Sequence, residues 1–183
     1  MKRILLIAIS SFALLQCSKK EDHFLIQKDQ IGILKRDFNI KQIDSVFAND
    51  SVVKHTFADG HTSRNTDVEI YEKGGAHLLS LTPSSTNDEL AKITIVTIRD
   101  DRFKTAKNIS SKSTFKDFKD NYEVSKIDRI LNNINVEFKN QDFYITISVD
   151  QLPSQYKFDY TTTIEVASIP DNAKIKNLRL DWF

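Results

Sequence analysis

Hydrophobic positions repeat with a helical spacing in two parts of the chain. Nonpolar residues three and four positions apart predict helices at 39–47 and 114–122. Asn39 with Gln42, and Thr114 with Asp117, form capping signals at the two helix starts. We expect each helix to bury its nonpolar face, which comprises Ile40, Ile43, Phe47, Phe115, Phe118 and Tyr122.

Short runs rich in β-branched and aromatic residues predict strands around these helices. Several runs alternate nonpolar and polar side chains, as strands with one buried face do. Turn-forming sequences such as Gly74-Gly75 and Asn132-Asn133 separate them. The predicted strands are 77–82, 93–98, 143–149, 161–166 and 175–180.

Two similar segments occur in the same order in each half of the chain. The helix at 39–47 matches the helix at 114–122, and Ala91-Lys92-Ile93 recurs as Ala173-Lys174-Ile175. We therefore predict an α+β fold of two related halves, 24–103 and 104–183. Each half is expected to pack one helix on an antiparallel sheet.

The first seventeen residues have the pattern of an export signal. Lys2 and Arg3 precede an apolar run from Ile4 to Leu15, and Cys17 follows. About a dozen apolar residues are too few to span a bilayer, so the pattern is typical of a secretory signal. The alternative is a buried helix, but a core helix should be amphipathic and this run is apolar on every side.

Leu14-Leu15-Gln16-Cys17 resembles the lipobox of bacterial lipoproteins. The resemblance implies a signal peptide at 1–16, a lipid such as palmitate on Cys17, and a polar tether at 17–23. Lys20-Glu21-Asp22 resembles the export signal of Bacteroidota surface lipoproteins. It implies anchorage in the outer membrane and favours the cell surface over the periplasmic face.

The first helix follows Gly32-Ile33-Leu34, ends on an aromatic residue and precedes a run of strands. This pattern resembles the repeat of β-lactamase inhibitor proteins and of the BamE/SmpA outer-membrane assembly lipoproteins. The segment before the second predicted helix has Asn108 and Ser111 where that repeat has glycines. The resemblance implies a small binding module and carries over no binding residue.

Composition narrows the range of functions. Apolar residues make up 40% of the chain and charged residues 28%, which is enough for a packed core. Lys2 and Arg3 are removed with the signal, so the mature chain has 24 of the 26 basic residues and 25 acidic residues. A nearly neutral chain argues against a nucleic-acid partner. With Cys17 lipidated, no thiol remains for a disulfide, a nucleophile or a metal site.

Residues with catalytic or metal-binding chemistry form no recognised motif. His55 and His61 lie near Asp59 around a glycine turn, but two histidines without a third ligand do not define a metal site. Neither a Gly-x-Ser-x-Gly sequence nor a phosphate-binding loop occurs. We therefore predict no catalytic residue, no cofactor and no metal.

Aromatic residues cluster late in the chain. Tyr156, Phe158 and Tyr160 would share one face of a strand. If that face is open they form a candidate recognition patch, and if a helix covers it they belong to the core. Trp182 is predicted to pack in the core.

These observations predict a non-enzymatic envelope lipoprotein that docks a protein or another envelope partner through sheet or loop surface. The membrane is its second partner, through the lipid on Cys17. The alternative is a hydrolase or a carbohydrate-binding accessory protein whose acids, or His55 and His61, converge only in the fold.

Overall fold

The structure is a computed structural model and describes residues 22–54, 67–85, 88–158 and 161–183. These residues form twelve strands and three short α-helices. The helices are α1 (Ile40–Val46), α2 (Phe115–Asn121) and α3 (Ser154–Phe158). The strands are β1 (Leu25–Gln27), β2 (Gln30–Ile31), β3 (Leu34–Lys35), β4 (Ser51–Lys54), β5 (Val68–Tyr71), β6 (His77–Pro83), β7 (Ile93–Ile98), β8 (Lys104–Thr105), β9 (Val124–Ile130), β10 (Asn133–Phe138), β11 (Phe143–Ser148) and β12 (Asn177–Asp181).

Eight strands form one large antiparallel sheet, in the order β4-β5-β6-β7-β12-β11-β10-β9. The remaining four form a small sheet in the order β3-β2-β1-β8, in which β1 runs parallel to β8. Strands β7 and β12 join the early and late strands of the large sheet, with Val96 opposite Leu180. The large sheet is therefore continuous from β4 at one edge to β9 at the other.

The hydrophobic core lies on one face of the large sheet. Its buried residues occupy facing register positions from strand to strand, as in Ile70 opposite Leu79 and Val136 opposite Ile145. Helix α2 packs on this face, where the Phe118 ring lies 5.6 Å from the ring of Phe138. Side chains from the small sheet belong to the same core, so one face of the large sheet is covered.

Both longer helices begin with the predicted caps. Asn39 accepts a hydrogen bond from the backbone N–H of Gln42, which in turn accepts one from Asn39. In α2, the Asp117 carboxylate accepts from the backbone N–H of Thr114 at 2.7 Å. Each helix start also binds the Ala-Lys-Ile segment that follows it in the sequence: the N–H of Ile40 donates to Ala91 and that of Phe115 to Ala173. The repeated segments therefore meet in the same way twice.

The predicted fold class is wrong. The described residues are mainly β, and the strands make two sheets of four and eight strands instead of one sheet in each half. Two physical causes account for this. Helices α1 and α2 have only seven residues each, and pairing of β7 with β12 merges the strands of both halves into one sheet.

Most predicted core residues are buried. Ile43, Phe47, Phe115 and Phe118 are at most 5% exposed, whereas Ile40 and Tyr122 are half-buried at the edge of the core. Strands lie at 77–83, 93–98, 143–148 and 177–181, close to their predicted positions.

The prediction of a strand at 161–166 is wrong. Residues 161–165 have no regular structure, and a 3₁₀ turn follows at Val166–Ser168. Only Ile164 is buried in the segment, so its β-branched residues do not make the nonpolar face that a strand needs.

Arg102 connects three parts of the fold near the described N-terminus. Its guanidinium forms ion pairs with Glu72 at 2.8 Å and with Asp100 at 2.9 Å. It also lies 4.5 Å from the centre of the Phe24 ring. The hydrogen bonds from Arg102 lower the pKa of both the Glu72 and the Asp100 carboxyl groups.

Replacing Phe118 with alanine should lower the free energy of unfolding by about 3–5 kcal/mol, because the ring is fully buried. Chemical denaturation measures the change. Phe183→Ala is the matched control, since that side chain is 81% exposed and its loss should change stability little. Equal effects of the two substitutions would show that α2 does not pack on the sheet as described.

Replacing Arg102 with methionine should lower the melting temperature near neutral pH and have less effect in acid. Glu72 and Asp100 have folded-state pKa values below their ordinary values of 4.5 and 3.8. The stabilisation is therefore complete above those values and is lost as the pH falls through the lowered pKa values. Thermal melts of both proteins at about pH 7 and about pH 3 test this. A difference that does not shrink in acid would contradict it.

Candidate binding surface

The face of the large sheet opposite the core carries mainly polar side chains. One row of facing residues crosses all eight strands, and none of its members belongs to the hydrophobic core. We call this surface the open face. The row is Val53, Glu69, Ser80, Thr97, Arg179, Tyr144, Glu137 and Lys126.

Arg179 occupies the middle of this row, with Thr97 on one side and Tyr144 on the other. The side chain is half-buried, and its Nε atom is shielded from water without a hydrogen-bond partner. Its guanidinium also forms no ion pair within the described part of the chain. A buried donor without a partner costs about 1–3 kcal/mol, so Nε is an unfavourable feature of the folded chain. The Nη groups of the same guanidinium are not among the buried unpaired atoms, so an acceptor that another molecule supplies would pair with them.

A hydrogen-bonded cluster lies beside Arg179 on the open face. Glu69 accepts a hydrogen bond from the Ser80 hydroxyl at 2.5 Å and contacts His77 Nε2 at 2.6 Å. Arg99 Nε donates to Ser80 at 2.8 Å. A β-bulge after Ile70 sets His77 opposite Tyr71, and the two rings stack 4.5 Å apart.

This cluster has the residue types of a hydrolytic site but not its geometry. In a nucleophile–base pair, the serine hydroxyl donates to the histidine. Here Ser80 donates to Glu69, and His77 Nε2 lies 3.5 Å from the hydroxyl. Ser80 is also only 4% exposed, so an incoming substrate would not reach it. The cluster therefore orders the side chains of the open face.

Arg99 supplies a second cation to the open face. It follows Thr97 by two residues and therefore lies on the same face, diagonal to Arg179. The side chain is exposed, and among the described residues it makes no ion pair. Two arginines that have no acidic partner in the described part of the chain thus lie beside each other near the middle of the sheet. A carboxylate could accept paired hydrogen bonds from either one.

Tyr156 is the one member of the predicted aromatic patch whose side chain the structure describes. Tyr156 lies in α3 instead of a strand, it is 7% exposed, and its hydroxyl bonds to Ser168 Oγ at 2.6 Å. Tyr156 therefore belongs to the core, as the second interpretation of this cluster predicted.

Asp22 is the first described residue, and its carboxylate accepts a hydrogen bond from the backbone N–H of Phe24 at 3.0 Å. Trp182 is 5% exposed, which confirms its predicted packing. Several residues singled out in the sequence lie outside the described residues: Cys17, Lys20, Glu21, His55, His61, Tyr160 and the side chain of Phe158.

The sequence contains a partial signal for Arg179. Leu178 and Leu180 flank it, so strand alternation assigns it to the polar face. The neighbours of Arg179 depend on which strands pair with β12, and no local pattern carries that information. The same is true of Glu69 and His77, whose contact depends on a β-bulge.

Among the described residues, concave regions also lie away from the open face. A groove of about 680 Å³ is lined by Lys28, Lys35, Lys92 and Trp182. A smaller apolar cavity of about 180 Å³ contains Asp50, and burial raises the pKa of this carboxyl, helped by the nearby charge of Glu72. The described residues bring no three metal-binding side chains together. They also contain no helix with the length and apolar character needed to cross a bilayer.

No protein-family model matches the sequence, and the search of curated proteins finds no significant match. Among solved structures, the fold is similar to that of the uncharacterised protein YfeY from Escherichia coli. The two chains are 11% identical and superpose with a TM-score of 0.52, over 87% of this chain and 99% of the other. At this identity the similarity extends to the fold alone.

Proposed function

We propose that this protein is a non-enzymatic lipoprotein of the bacterial outer membrane that holds an envelope protein against its open face. The lipid on Cys17 anchors the chain, and Lys20-Glu21-Asp22 directs it to the cell surface. The basic head, the apolar run and the cysteine directly after it support the anchor.

The observation that carries the binding role is the unpaired arginine at the centre of the open face. Arginine is among the residues that dominate protein interfaces, because its planar guanidinium binds carboxylates with two hydrogen bonds. No residue that the structure describes is such a partner of Arg179, and Arg99 adds a second cation beside it. The partner therefore presents an acidic side chain to the middle of the sheet.

We also propose that the chain arose from two related repeats. The matching caps of α1 and α2 support this, as do the matching backbone bonds from Ile40 to Ala91 and from Phe115 to Ala173.

The anchor predicts that labelled palmitate enters the wild-type protein and not the Cys17→Ser variant. Cys17 is the only cysteine in the chain, so no other thiol can carry the label. Equal labelling of the two proteins would rule out lipid attachment at this residue.

If the open face binds a partner, a photo-crosslinking amino acid in place of Tyr144 should capture an envelope protein. Position 116 on the outward side of α2 is the control, because Lys116 is exposed and belongs to the covered side of the sheet. On intact cells, one protein should be captured at position 144 and not at position 116.

Arg179→Ala should lower this capture by about tenfold or more, as expected for a central arginine of an interface. It should leave the melting temperature unchanged or raise it, because Arg179 has a buried Nε without a hydrogen-bond partner and forms no ion pair within the described residues. Equal capture at both positions, or capture that does not respond to Arg179→Ala, would contradict the proposed binding face.

A further inference from the structure

The turn between β9 and β10 has an unusual residue at its tip. Leu131 has φ of +53°, a backbone conformation that leucine rarely adopts. Two-residue hairpin turns of this kind normally use glycine, asparagine or aspartate. Leu131 is also 80% exposed and the adjacent Ile130 is 52% exposed. The protein therefore holds two large nonpolar side chains in water on a strained turn.

The register of the large sheet shows at which end this tip lies. Thr97 of β7 faces Arg179, Asn177 faces Thr146, and Ser148 faces Asn133. When these registers are extended from strand to strand, Asn133 of β10 lies at the same height along the strand direction as Asp101. Asp101 follows the end of β7. The tip of the hairpin therefore lies at the end of the sheet where β7 finishes.

The described N-terminus lies at that same end. The carbonyl of Phe24 accepts a hydrogen bond from the N–H of Lys104 at 2.9 Å, and the Phe24 ring lies 5.0 Å from that of Phe103. Asp22 is therefore next to the segment that leaves β7. Strand β9 is the fourth strand from β7 in the sheet order. Four interstrand spacings correspond to roughly 19 Å.

The length of the tether restricts the distance from the membrane. Residues 18–21 separate Cys17 from Asp22, so the chain reaches about 17 Å at full extension. A lipid on Cys17 would hold this end of the sheet close to the bilayer. The apolar tip then projects toward the surface from which the tether rises.

We propose that Ile130 and Leu131 insert into the membrane interface and form a second contact beside the lipid anchor. Nonpolar side chains gain free energy when they leave water for the boundary between head groups and acyl chains. Two contacts about 19 Å apart would fix the orientation of the domain on the bilayer. The proposal rests on the proposed lipid anchor, and it identifies lipid as the molecule that the tip contacts.

Fluorescence of the lipidated full chain in vesicles tests the proposal. The vesicles contain phosphatidylethanolamine and phosphatidylglycerol, with and without brominated acyl chains, which quench a fluorophore that touches them. With Cys17 lipidated, Leu131→Cys introduces one free thiol for a polarity-sensitive fluorophore. Asn140→Cys is the matched control, since Asn140 is exposed, has φ of +59° and lies in the turn at the opposite end of β10.

The brominated lipid should quench the fluorophore at position 131 by about half or more and leave the fluorophore at position 140 unchanged. Equal quenching at the two positions, or none at position 131, would overturn the proposal. Crosslinking of position 131 to a protein on cells without lipid contact would also overturn it and identify a protein as the occupant. Loss of the anchor is recognised separately, because palmitate would then be missing from the wild-type protein.

Leu131→Asn distinguishes a contact with lipid from a structural role. Asparagine tolerates the left-handed conformation, so this variant should melt at the same or a higher temperature. A fluorophore on an Ile130→Cys, Leu131→Asn double variant should be quenched less than one on Ile130→Cys alone. A marked loss of thermal stability would show that Leu131 supports the fold, and undiminished quenching would show that it does not help to insert the tip.

Discussion

The fold depends on the antiparallel pairing of β7 with β12. These strands come from distant parts of the chain, and their contact joins four earlier strands to four later ones. Because side chains alternate along a strand, the single continuous sheet has one nonpolar and one polar face. The helices and the small sheet cover the nonpolar face, and Arg179 of β12 lies in the middle of the polar one. The buried core and the open face are thus both set by one strand pair.

Local sequence was sufficient to predict the elements that local interactions determine. The caps of α1 and α2 depend on side chains three residues apart, and strands such as 93–98 show their nonpolar pattern directly. Residues 161–165 misled the prediction because β-branched residues also occur in exposed loops. Tyr156 was assigned to a strand because a short helix and a strand are difficult to distinguish over five residues.

The assembly of the sheets and the candidate binding surface could not be predicted in this way. The repeated segments indicated two similar units, but no local pattern indicates that their strands pair with each other. Contacts on the open face, such as Glu69 with His77, require the register and the bulge between β5 and β6. Leu131 is a different case, because its strain is visible only in the backbone angles of the folded chain.

The position of β12 has a consequence for the order in which the protein can fold during synthesis. This strand follows all the others in the sequence, yet it lies in the interior of the large sheet. Until it emerges, β7 and β11 each have an unpaired side, and such edges readily pair with other chains. The sheet therefore closes only after residues 177–181 have been synthesised, and this long-range pairing makes closure of the sheet a late and slow step of folding.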